Sequence, residues 1–143
     1  MKHVLIAVAL VGGLAACNRS GGEPEAVLEE FARIGETGKC ERVPELITKA
    51  SRDMLGAMLE TACKTSIETR KADPSKAEKK IKRINVLEKT ENGDKTTVRA
   101  EPEFEDGSKE GAQNFIMAKE DGAWKIDLIA TGQGMMGAAG APQ

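Results

Sequence analysis

Histidine and tyrosine are almost missing from this chain: its 143 residues hold one His, at position 3, and no Tyr. With no imidazole beyond residue 3, Ser-His-Asp and Cys-His catalysis lack their base, and a zinc site lacks its commonest ligand. Aromatic residues make up only 3%, a single Trp and three Phe. No apolar run approaches the roughly 20 residues that span a bilayer. A basic excess is lacking too, with 21 Lys and Arg against 23 Asp and Glu, which argues against a nucleic-acid partner.

Cysteine is scarce, and each of the three has a place. Residues 1–16, MKHVLIAVALVGGLAA, read as a secretory signal: Lys2 is the basic start, Val4 to Leu14 the apolar stretch, Ala15 and Ala16 the small exit residues. Leu14-Ala15-Ala16-Cys17 resembles the lipobox of bacterial lipoproteins, which implies diacylation of Cys17 after cleavage. Two acyl chains hold a protein stably at a membrane, where one does not. Asn18 in place of Asp favours the outer over the inner membrane by the same resemblance. Cys40 and Cys63 then form an even pair in an oxidising compartment and are expected to be disulfide-bonded. They lack the Cys-X-X-Cys spacing of a redox pair.

Removing 1–16 leaves one domain's worth of chain. Residues 17–23 make the lipidated cysteine and a flexible polar tether. Val27, Phe31 and Ile34, preceded by Pro24, predict an amphipathic helix ending near Gly38. A second short helix is expected over Cys40, Val43, Leu46, Ile47 and Ala50. Ser51 is the expected N-cap of a third, with an apolar stripe of Met54, Leu55, Met58, Leu59, Ala62 and Ile67 and with Cys63 facing Cys40. Pro74 is expected to end it. The basic stretch 70–83 reads as a solvated connector, or as a patch for anionic headgroups or an acidic partner.

From Ile84 the period becomes 2. Ile84 and Val86 lead to a hairpin signal at Asn92-Gly93, and Thr96, Val98 and Ala100 share a strand face opposite Thr97, Arg99, Glu101 and Glu103. Pro102 argues for an edge or a bulge. A third strand over 113–119 turns at Asp121-Gly122 into a fourth, on which Trp124, Ile126 and Leu128 point one way. Residues 130–143, ATGQGMMGAAGAPQ, are expected to be a disordered tail. Helices followed by an antiparallel meander make an α+β domain over 24–129, with N-terminal helices packed on a curved four-stranded sheet.

That order resembles the small bacterial lipoproteins of the nuclear-transport-factor-two-like (NTF2-like) superfamily, the cystatin-like α+β roll. The residues that carry the resemblance are Pro24-Glu25-Ala26-Val27 with Phe31, the Gly38–Leu46 stretch, and the closing Glu120-Asp121-Gly122-Ala123-Trp124-Lys125-Ile126. Enzymes of that superfamily place Asp, Tyr or His in a conical pocket, and no such residue carries over here. The leading expectation is therefore a non-enzymatic binding or accessory lipoprotein of the envelope, without cofactor or metal. It would offer a shallow pocket or a contact face to a small apolar ligand or an envelope protein, with Arg99, Glu101 and Glu103 as possible contacts. One alternative is an enzyme built on Glu101, Glu103 and Glu105. Another is an inhibitor or surface antigen, using the contrast between basic 70–83 and acidic 101–110.

Overall fold

A computed structural model describes residues 22–76 and 79–139. The expected signal segment and Cys17 lie outside the described residues. Helix α1 runs Pro24–Thr37 and stops at Gly38, whose φ of 74° is left-handed and whose N–H closes on the Ile34 carbonyl. A side chain would strain that conformation, so the glycine sets the helix end. Cys40–Arg42 form a single 3-10 turn, followed by the one-turn α2, Val43–Leu46. Ile47 is extended and bridges in parallel to Ile126.

The third helix departs from expectation at its start. Helix α3 spans Lys49–Ala72, and its N-cap is Thr48, whose hydroxyl accepts from the Ser51 N–H. Ser51 lies inside the helix, fully buried, and its hydroxyl accepts from the Leu128 N–H at 3.0 Å. Ala50, expected on the second helix, belongs to this one. Leu59 and Cys63 pack on the core, while Met54 and Met58 are 70% and 62% exposed. The apolar stripe therefore lies one position round the helix from where the methionines suggested. The helix ends at Asp73, before Pro74, as expected.

Four antiparallel strands follow in the order β1-β2-β3-β4: β1 Ile81–Asn92, β2 Lys95–Phe104, β3 Gln113–Glu120 and β4 Ala123–Ile126. Asn92 pairs with Lys95, so the first hairpin turns on Gly93-Asp94, one residue later than the Asn-Gly reading. Only Gly93 of the two has positive φ, the II′ pattern. At the last hairpin Asp121 and Gly122 both do, the I′ pattern that suits Asp-Gly. Pro102 sits where β2 has lost β3, whose pairing ends at Ala100, so its missing N–H breaks no ladder.

The sheet curls into a half-barrel around α1, which touches both edge strands, β1 and β4. Val27, Leu28 and Ile34 meet Val98, Ala100, Met117 and Ile126 at the centre, with Val43, Leu46 and Ile47 closing one side. The Cys40–Cys63 disulfide ties the 3-10 turn to the middle of α3. The chain does not fall into a disordered tail at 130. Leu128–Ala139 form helix α4, packed on β3, so Leu128 opens a helix and does not continue β4. Its first turn is held by Asp127, which accepts from Ala130 N–H, and by Thr131, which accepts from Ile116 N–H. These tertiary bonds, with Ala, Leu and Met in the helix, outweigh the glycines that suggested disorder. Among the described residues the core, the disulfide and the strand partners lie within 24–131.

Candidate functional site

Helix α1 runs antiparallel to β1. Glu25 pairs with Lys89 at one end, Arg33 donates to the Lys82 carbonyl further on, and Glu36 accepts from the Ile81 N–H at the other. Near that second end α1 and the sheet border an open cavity of about 520 Å³, a size that suits a small ligand. Ala32 of α1 and Ile81 and Ile84 of β1 form one wall. Ala100, Pro102 and Phe104 of β2, with Phe115 of β3, form the floor. Among the described residues the polar lining consists of Lys79, Glu110 and Gln113.

The strand period explains the apolar floor. Ala100, Pro102 and Phe104 continue the Thr96–Val98 face that packs on α1, and Ala100 is the small residue that leaves room. Lys79 stands at the mouth, its ammonium 5.7 Å from the Phe104 ring centre. It donates to the Ser108 hydroxyl at 2.8 Å and pairs with Asp106 at 3.1 Å. The Ser108 hydroxyl and N–H and the Lys79 charge hold the Asp106 carboxyl down to about 2.

The residues singled out in the sequence lie on the opposite face of β2. Glu103 is buried there, its side chain 9% exposed, against Lys82 at 3.0 Å and Arg83 at 2.7 Å. Asn85 adds a hydrogen bond at 3.2 Å. These three donors, Lys82 first, lower its carboxyl to about 2. Glu101 pairs with Lys109 at 2.6 Å, Glu105 is exposed, and Arg99 is exposed beside its cross-strand neighbours Glu88 and Asn114. The three carboxylates therefore face neither the cavity nor one another across a common space. The cavity residues went unnoticed in the sequence because they are scattered over α1, the 79–84 segment and three strands. Their one local signal is the small Ala100 between Val98 and Pro102. Among the described residues no cluster of His, Cys, Asp and Glu could hold a metal ion.

Short helices leading into a curled antiparallel meander, with a cavity between the first helix and the sheet, define an NTF2-like α+β roll. The chain belongs to the family described as Domain of unknown function (DUF4878), whose model matches residues 16–127. Two solved structures share the fold. One, from Campylobacter jejuni, is named as a candidate NTF2-like transpeptidase; it is 19% identical, with a TM-score of 0.52, over 73% of this chain and 97% of that one. The other, a solution structure from Rhodopseudomonas palustris, is a SEC-C motif containing protein, 19% identical with a TM-score of 0.54, over 76% and 78% of the two chains. No curated protein matches the chain in sequence.

Proposed function

We propose that this domain is a non-enzymatic binding module of the cell envelope, tethered by lipid on Cys17, with the outer membrane favoured over the inner. The observation that carries the binding reading is the open, apolar-floored cavity between α1 and the sheet. Apolar walls with a few convergent polar groups are the usual make-up of a ligand site. The name of the Campylobacter jejuni neighbour raises acyl transfer as a second reading. Against it, Cys40 and Cys63 are joined to each other, so neither offers a thiolate nucleophile. A carboxylate enzyme is disfavoured as well, because Glu103 is held ionised by its cations and so lacks the raised pKa of a general acid.

Two measurements test the reading. Cys17→Ser should abolish acylation and leave uncleaved or mislocalised precursor, and normal processing and membrane partitioning of that variant would overturn the lipid anchor. Methyl spectra of the isolated domain, titrated with small apolar compounds, should shift Ala32, Ile81, Ile84 and Ala100 together. Shifts elsewhere would remove the cavity as the binding site.

A further inference from the structure

We propose that the cavity takes a single-chain anionic amphiphile, a fatty-acid-like carboxylate, with its chain on the Ala100–Phe104–Phe115 floor and its head group on Lys79. The inference rests on the binding reading above and names the ligand class. A cavity that is apolar at its floor and open to water at its mouth suits a molecule with one apolar and one polar end. A wholly apolar compound would leave part of its surface wet, and a fully polar one would leave the floor uncovered.

The polar end is chosen by what stands at the mouth. Among the described residues Lys79 is the only cation in the lining, and its ammonium lies against the Phe104 ring, beside the path of an entering chain. An ammonium has three donors; Ser108 and Asp106 take two, which leaves one N–H for a carboxylate oxygen. A charge-assisted bond of that kind is about twice as strong as a neutral one. Gln113, also in the lining, is a neutral amide and sets no charge against an anion. Glu110 opposes an anion, an effect that water weakens without removing because the residue sits on the exposed loop between β2 and β3.

The test uses the chain from residue 17 onward, with Cys17→Ser. Three probes share a twelve-carbon chain and are kept below micelle formation: laurate, 1-dodecanol and dodecyltrimethylammonium. Calorimetry should show laurate binding about tenfold more tightly than dodecanol, with the ammonium probe weakest. Lys79→Gln should bring laurate down to the level of dodecanol without changing dodecanol. Glu110→Gln should tighten laurate severalfold and leave dodecanol alone. Methyl shifts of Ile81, Ile84 and Ala100 in the wild-type domain locate the site without any substitution.

Equal binding of laurate and dodecanol would overturn the head-group assignment and leave the cavity reading intact. Binding of laurate that survives Lys79→Gln undiminished would do the same. Absence of binding by all three probes, or shifts confined to other methyls, would overturn both.

Discussion

Arg83 and Glu103 are direct partners across the β1–β2 ladder, and the Arg83 guanidinium closes to 2.7 Å from the Glu103 carboxylate. The ladder slips by one residue beside them, between Ile81 and Arg83, and Lys82 from that bulge reaches the other carboxylate oxygen at 3.0 Å. One nearly covered anion is thus shared between two cations and an amide. The arrangement fastens the start of β1, a wall of the cavity, to the end of β2, part of its floor.

A folded-state carboxyl near 2 against an ordinary 4.5 means that the ionised form of Glu103 favours folding. That stabilisation is fully present above about pH 4.5 and is lost as pH falls toward 2. Asp106, held at about 2 against 3.8, adds in the same direction over a slightly narrower window. Thermal midpoints should therefore be flat above pH 5 and drop between pH 4.5 and 2. Glu103→Gln should lower the midpoint at neutral pH and flatten the drop. A carboxyl titration of Glu103 centred near 4.5 would contradict this account.

The disulfide closes a stretch with a sequence separation of 23. Restricting a loop of that size in the unfolded chain is worth about 3 kcal/mol in the chain-entropy model. Cys40→Ser with Cys63→Ser should lower the unfolding free energy by about that amount, read from urea midpoints at unchanged slope. Reduction of the native domain should have the same effect, and an unchanged midpoint under reductant would show that the bond contributes nothing.

Helix α4 gives a prediction at Thr131, which is buried and accepts the Ile116 N–H at 2.9 Å. Thr131→Val keeps the shape and leaves that amide unpaired, at a cost of about 1–3 kcal/mol. Hydrogen exchange at Ile116 should speed up, along with the amides of the first turn of α4. Protection that is the same in both proteins would mean that α4 does not hold the β3 edge.

Trp124, on the same strand face as the buried Ile126, enters the core only part-way. It packs on the central cluster, yet it is only half-buried, with its cross-strand partner Lys119 5.7 Å from its ring centre. Its emission should fall between a buried and a water-exposed position, with partial quenching by iodide, which the Lys119 charge draws in. Trp124→Ala should cost less than the roughly 3–5 kcal/mol of a fully buried aromatic. Emission at the water-exposed position would remove Trp124 from the core cluster.

What the sequence made legible was local. Helix α1, the Pro74 stop, the Asp121-Gly122 turn, the Thr96–Val98–Ala100 face and the cysteine pair each follow from signals within a few residues. The misreadings have tertiary causes. Thr48 and Ser51 are both good caps, and Ser51 is drawn inside the helix because Leu128, far along the chain, needs its hydroxyl. On α3 the neighbouring pairs Met54-Leu55 and Met58-Leu59 make two overlapping stripes, and only packing decides which is buried. Alternation places Glu103 on the solvent side of β2, and a bulge on another strand then covers it. The cavity was illegible because no stretch of sequence contains more than a few of its residues.

The antiparallel run of α1 along β1 also gives the domain a polarity. The chain enters α1 beside Lys89, whereas Ile81 and the cavity mouth lie beside Glu36. At 1.5 Å per helical residue, Glu25 and Glu36 are about 16 Å apart. A leash attached before Pro24 would pull on one pole while the opening looks out from the other. Cargo could then be loaded and released away from whatever surface holds the leash, without the domain having to turn over.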